Sequence, residues 1–182
     1  MLILSLGVFL WAYSHLMKRV TPGFRASLGD GPGKGLATVL ALVALGMMIY
    51  GYRSADVITV WSPPQFLRHI NNLAMLIAVI LFGMGSSRGV LPTVMRHPML
   101  TAVKTWALAH LLVNGDLASI ILFGGMLAWA VIDVITINRM EPVWVRPARG
   151  PVRNDVIYVV LSLVLFGAIV WVHTWMGYAP LG

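Results

Sequence analysis

Five histidines stand in an otherwise very apolar chain, and they are the side chains best suited to chemistry. The chain has 182 residues, of which 59% are hydrophobic and 10% are charged. The histidines are His15, His69, His97, His110 and His173. An imidazole at membrane depth is costly unless it has a partner or a ligand. We therefore expect some of these rings to hold a bound group.

His110 is the strongest candidate among them, because it lies inside an apolar stretch and away from both of its ends. Trp106 and Asn114 stand four residues before and after it, which places both on the same helical face. We expect Trp106 to pack against a flat cofactor and Asn114 to hydrogen-bond the second ring nitrogen of His110. The alternative is that a neighbouring helix satisfies the buried ring.

His97 cannot share a metal with His110 on one straight helix. The two residues are 13 positions apart, which gives about 20 Å of rise and opposite faces. A second ligand must therefore come from another span. His15, His69 and His173 are expected near the ends of spans, where interfacial rings are common.

The other ligand types are scarce. The chain contains no cysteine and six acidic residues, and of these only Asp133 is expected within the membrane, paired with Arg96, Lys104 or Arg139. Neutral imidazoles without thiolates or clustered carboxylates suit haem iron better than a hydrolytic metal pair. The catalytic residues, if there are any, stay unassigned.

The apolar segments predict an all-α, polytopic membrane protein with one transmembrane domain over residues 1–182. Six segments are apolar enough to be spans, and they cover 2–17, 36–52, 70–85, 98–113, 117–137 and 155–176. Spans four and five are separated only by Asn114-Gly115-Asp116, which predicts a tight helical hairpin. Pro22, Pro32 and the segment Gly31–Gly35 are expected in loops, because proline breaks helices.

The basic residues predict the orientation. The net charge is +7, and ten of the thirteen Lys and Arg residues follow spans one, three and five. They are Lys18, Arg19, Arg25, Lys34, Arg88, Arg96, Arg139, Arg146, Arg149 and Arg153. Positive loops stay in the cytoplasm, so both termini are expected in the periplasm. Topology accounts for the charge, and no nucleic-acid partner is expected.

Four short motifs occur in this order along the chain: Tyr13-Ser14-His15, Arg96-His97-Pro98, Trp106-Ala-Leu-Ala-His110 with Asn114-Gly115, and Val172-His173. In this order and spacing they resemble the NnrU family of bacterial membrane proteins over essentially the whole chain. The resemblance implies a multi-pass protein of the inner membrane, linked to nitrite and nitric oxide metabolism in denitrification.

The same pattern is similar to that of the plastid zeta-carotene cis–trans isomerase, a membrane protein that carries haem b. This similarity implies haem ligation by His15 and His110, with His97 supporting a substrate or a haem propionate. The chemistry implied for such a haem protein is redox-gated isomerisation, small-gas sensing or electron transfer. Two positions depart from the relative: Arg53-Ser54 stands near the place of a histidine, and Ala107 stands in place of a cysteine. The cysteine-dependent ligand switch of the relative is therefore not expected here.

Two alternatives use the same residues differently. Arg96-His97-Pro98 is also similar to a motif of the isoprenylcysteine carboxyl methyltransferases, which would imply an S-adenosylmethionine-dependent membrane enzyme. The second alternative is that the protein is a non-enzymatic accessory protein of a respiratory complex. The expected partners are membrane lipid, haem, a hydrophobic small molecule, and a respiratory complex or a second copy of the chain.

Overall fold

Seven α-helices and two single-turn 3₁₀ helices form the computed structural model, which describes residues 1–181. The α-helices are α1 (Leu2–Val20), α2 (Pro22–Ser27), α3 (Asp30–Arg53), α4 (Leu67–Phe82), α5 (Pro98–Val113), α6 (Leu117–Met140) and α7 (Val152–Trp175). The 3₁₀ turns are Met84–Ser86 and Leu91–Thr93. The predicted all-α class is confirmed, since the described residues contain only one isolated β-bridge and no strand.

Four helical segments are long and apolar enough to cross a membrane. They are Asp30–Arg53, Leu67–Ser86, Leu117–Met140 and Val152–Trp175. A span needs roughly 20 residues, and α5 is shorter at 16 residues. α1 has 19 residues but carries Lys18 and Arg19 in its last turn, and it is not among the four. The membrane class of the protein is thus supported by four helices, and crossing by α1 and α5 stays a prediction.

The helices pack as a row in the order α3, α1, α6, α5, α4 and α7. α1 and α3 approach closely where glycine leaves room, because a methyl group on Gly51 would lie 2.5 Å from the backbone nitrogen of Leu4. α7 is the last helix of the row and packs chiefly against α4, so most of its side chains are exposed at the surface of the bundle. The core lies between α1, α3 and α6, at the other end of the row.

One end of the bundle is fixed by the connection between α5 and α6. Asp116 caps α6, because its carboxylate accepts hydrogen bonds from the Ser119 amide at 2.9 Å and the Ser119 hydroxyl at 2.6 Å. The Gly115 carbonyl accepts from the Val60 amide at 2.8 Å and the Trp61 amide at 3.1 Å. The α3–α4 connection therefore lies against the α5–α6 turn.

The opposite end carries most of the basic residues and is fixed by Asp155. The Asp155 carboxylate accepts hydrogen bonds from the Ser87 hydroxyl at 2.9 Å, the Val90 amide at 2.6 Å and the Leu91 amide at 3.2 Å. Arg88 lies between these donors with a left-handed φ of 53°. The start of α7 is thereby joined to the connection between α4 and α5.

Two prolines predicted in loops lie in helices instead. Pro22 is the first residue of α2, and Pro32 lies in the first turn of α3, so the segment Gly31–Gly35 is helical and its prediction as a loop was wrong. The amides of a first turn have no intrahelical acceptor, so proline costs little there. The rule that proline breaks helices holds for helix interiors only.

Candidate functional site

An open cleft of about 410 Å³ lies between α4, α5, α6 and α7. Its walls are apolar and aromatic except for two imidazoles, and its volume is in the range of small-molecule and cofactor sites. The lining residues are Met75, Ala78, Val79, Phe82, Ala102, Val103, Trp106, His110, Met126, Leu165, Ile169 and His173. The cleft exists because α7 packs on α4 and leaves space between itself and α5.

Helical spacing explains why these residues share the cleft. On α4, Met75, Val79 and Phe82 recur every three to four positions, and on α7 Ile169 and His173 are four apart. Residues at this spacing form one face of a helix. Each helix therefore contributes a continuous apolar stripe to one wall.

The ring of His110 is held in a defined orientation within this cleft. Its Nδ1 is 2.9 Å from the Trp106 carbonyl oxygen, so Nδ1–H donates to that carbonyl in the neutral ring. The ring stacks on Phe123 with centroids 4.5 Å apart and lies 5.2 Å from the Trp106 ring. Nε2 makes no hydrogen bond within residues 1–181. The ring thus keeps its Nε2 lone pair available to a ligand.

His173 is held in the same way at the end of α7. Its Nδ1 is 2.8 Å from the Ile169 carbonyl oxygen, and its Nε2 has no hydrogen-bond partner in the described chain. The helix ends in a Schellman arrangement: the Tyr178 amide donates to the His173 carbonyl, and Gly177 has a φ of 89°. This ending fixes the position of His173 beside the cleft.

His15 lies in a second cluster, between α1 and α6. Its Nδ1 is 2.9 Å from the Trp11 carbonyl oxygen, and its ring lies 4.4 Å from the Trp11 ring and 4.8 Å from the Trp129 ring. Phe123, which contacts His110, is six positions before Trp129 on α6. Six residues correspond to about 9 Å along a helix. The structure therefore places His15 and His110 in separate clusters.

Arg96 and His97 are engaged with the end of α6. His97 Nε2 is 2.9 Å from the Asn138 side-chain oxygen, and Arg96 donates to the Glu141 carbonyl oxygen at 2.5 Å. Both residues lie at the basic end of the bundle, because His97 immediately precedes α5. His97 thus lies at the end of α5 opposite His110 and has its Nε2 occupied.

Two predicted contacts of the candidate site are wrong. The Asn114 amide donates to the backbone carbonyl of His110 at 2.8 Å rather than to its ring, because Asn114 is the residue that ends α5. Asp133 pairs with Arg19, at 3.2 Å, and not with Arg96, Lys104 or Arg139. Arg19 reaches it because α1 packs against α6.

The described residues offer few side chains that could hold a metal ion together. Within residues 1–181, no group of three or more His, Asp or Glu side chains is placed to hold a metal. A zinc ion usually takes four ligands, at least three of them from protein. Two imidazoles in an apolar cleft instead suit a planar cofactor that brings its own equatorial donors.

Of the residues that line the cleft, only Trp106 and His110 were predicted as site residues. His173 lines the cleft although it was expected among interfacial aromatic residues, and Phe123 of α6 stacks on His110 without having been predicted. The spacing of Leu165, Ile169 and His173 on α7 is a usable signal. This spacing does not reveal which helices lie across the cleft from α7.

Comparison with known proteins gives one match. No curated protein and no solved structure matches the chain. The family described as NnrU protein matches residues 3–180, which is nearly the whole chain. The chain, whose cleft is lined by two imidazoles, therefore belongs to the NnrU family.

Proposed function

We propose that this protein is an inner-membrane haem b protein in which the cleft between α4, α5 and α7 receives the haem. The observation that carries the proposal is His110: its Nδ1 is bonded to the Trp106 carbonyl, its Nε2 is free, and its ring borders an apolar cleft of about 410 Å³. A backbone carbonyl on the second nitrogen is the usual support of a metal-bound histidine.

The donors and walls of the cleft fit haem. Trp106 supplies a flat aromatic surface beside the His110 ring, and Phe123 stacks on that imidazole and also contacts the Trp106 ring, with centroids 5.0 Å apart. The remaining walls are apolar apart from His173. The family resemblance assigns the second axial ligand to His15 and a supporting role to His97.

Bound haem would supply one-electron chemistry. With two imidazole ligands the iron has no free position, so reaction with a gas or a substrate requires the loss of one ligand. Electron transfer therefore fits a two-ligand site directly, and isomerase-like chemistry would require a ligand to leave. The protein itself contributes ring orientation at His110 and an apolar surrounding.

The methyltransferase alternative is not favoured by the contacts of its motif. The Arg96 and His97 side chains are hydrogen-bonded to the last residues of α6, at Glu141 and Asn138. Neither side chain lines the cleft between α4, α5, α6 and α7. The accessory-protein alternative predicts a preparation that contains no haem.

Haem content tests the proposal. Wild type and His110→Ala are expressed with ample haem, purified in mild detergent, and assayed for haem bound per chain. His69→Ala is the matched control, because His69 is an exposed histidine at the same end of the bundle. We expect haem in the wild type and the control and loss or weak retention in His110→Ala. A colourless wild type contradicts the proposal.

The proposal includes six crossings, with α5 and α6 as a hairpin and both termini in the periplasm. The chain has no cysteine, so single cysteines report topology without background. In intact cells an impermeant maleimide is expected to label Ser62→Cys, in the α3–α4 connection, and to spare Arg146→Cys, in the basic α6–α7 connection. The reverse pattern refutes the orientation.

The link to denitrification is tested in a host that carries out that metabolism. We expect deletion of the gene to impair growth on nitrite or to raise nitric oxide. The wild-type gene should restore the phenotype and the His110→Ala gene should not. Equal rescue by both genes would show that the physiological role does not depend on His110.

A further inference from the structure

We infer that His173, on α7, is the second axial ligand and faces His110 across the cleft. The inference rests on the proposed haem site and names the residue that completes it. It differs from the pairing implied by resemblance, which places the second ligand on His15.

The first support is shared location. His110 and His173 line one cleft, on α5 and α7 respectively. His15 is not among the lining residues of this cleft, and its ring contacts the rings of Trp11 and Trp129 instead. Axial ligands must approach one iron from the two faces of one ring system, so residues that border one cleft meet this requirement and residues in separate clusters do not.

The second support is the shared direction of the two helices. α5 follows the connection between α4 and α5, and α7 is tied to that connection because Asp155 accepts hydrogen bonds from the Val90 and Leu91 amides. Both helices therefore run away from the basic end of the bundle. His110 lies in the last turn of α5, and His173 lies in the last turn of α7.

The third support is ring orientation. Both rings direct Nδ1 to the carbonyl four residues earlier, at 2.9 Å for His110 and 2.8 Å for His173. Both therefore keep Nε2 free in the same tautomer. His15 has the same arrangement, with its Nδ1 2.9 Å from the Trp11 carbonyl oxygen, whereas His97 uses its Nε2 on Asn138. Ring orientation therefore excludes His97, and the shared cleft distinguishes His173 from His15.

The fourth support is the way α7 holds its histidine. The Tyr178 amide donates to the His173 carbonyl at 2.9 Å, and the Tyr178 ring lies edge-on to the imidazole with centroids 6.5 Å apart. A Schellman ending fixes the last turn of a helix. His173 is therefore positioned by α7 itself, although α7 has few neighbours in the bundle.

The experiment compares the haem spectra of four full-length proteins in mild detergent: wild type, His173→Ala, His15→Ala and the control His69→Ala. We expect low-spin bands in the wild type, in His15→Ala and in His69→Ala. We expect His173→Ala to lose the low-spin bands and become high-spin, and added imidazole to restore them. Low-spin bands unchanged in His173→Ala, or lost only in His15→Ala, overturn the inference.

A second variant guards against a failure to fold. His173→Met keeps a ligand of similar length, and we expect it to remain haem-bound and low-spin with a higher reduction potential, as methionine ligation raises it. An unchanged potential overturns the assignment of His173. Absence of haem from the wild type refutes the proposed function itself. Haem in the wild type with an unchanged His173→Ala spectrum refutes only the ligand assignment.

Discussion

Replacing Arg19 by methionine breaks the ion pair that joins α1 to α6. The guanidinium of Arg19 lies 3.2 Å from the Asp133 carboxylate, and the two side chains are 18% and 10% exposed. Removing one member of a buried pair leaves the other charge without a partner and costs about 3–5 kcal/mol. Because both groups keep some exposure, we expect the lower end of that range, about 3 kcal/mol.

This loss is large enough to measure as a change in Tm. For a chain of this size, 1 kcal/mol corresponds to about 2–4 °C, so Arg19→Met is expected to lower the Tm by about 6–12 °C. The assay is thermal unfolding in detergent, followed by circular dichroism and by the monodisperse fraction. Arg139→Met is the control, since Arg139 is an exposed cation on α6.

The double variant Arg19→Met/Asp133→Asn separates a broken pair from a general loss of packing. Replacing both charges removes the desolvation cost together with the attraction, so the double variant is expected to be more stable than Arg19→Met alone. A Tm for Arg19→Met equal to that of Arg139→Met refutes the reasoning. So does a double variant whose loss equals the sum of the two single losses.

Two further predictions concern packing. Gly51→Ala is expected to lower the Tm by several degrees, because its methyl group would lie 2.5 Å from the Leu4 backbone nitrogen. Gly46→Ala, on the same helix with nothing within 4 Å, is expected to keep or slightly raise it. Asp155→Ala is expected to destabilise the protein, because the Ser87 hydroxyl and the Val90 and Leu91 amides lose their common acceptor. The exposed Asp56→Ala is its control, and equal unfolding temperatures for the members of either pair contradict the corresponding prediction.

The sequence predicts the helices well because their signals are local. Runs of apolar residues mark all six long helices, and the Asn114-Gly115-Asp116 segment marks the short connection between α5 and α6. Trp106 and His110 were placed on one face by spacing alone, and both line the cleft. The exceptions at Pro22 and Pro32 are first-turn positions, where the local rule does not apply.

Contacts between distant helices could not be predicted in this way. The proximity of His173 to the His110 cleft depends on α7 packing against α4, and the Arg19–Asp133 pair depends on α1 packing against α6. Such pairings carry no periodic signal within either helix. Asn114 illustrates the same limit at short range, because the same spacing allows a bond to the His110 ring or to its carbonyl.

The absorption spectrum of the purified wild-type protein tests the central claim most directly. The protein is expressed with ample haem, purified in mild detergent, and recorded in its oxidised form and after reduction. The haem proposal predicts sharp low-spin bands in the reduced form that disappear on reoxidation and depend on His110. A colourless preparation that is folded and monodisperse would contradict the proposal.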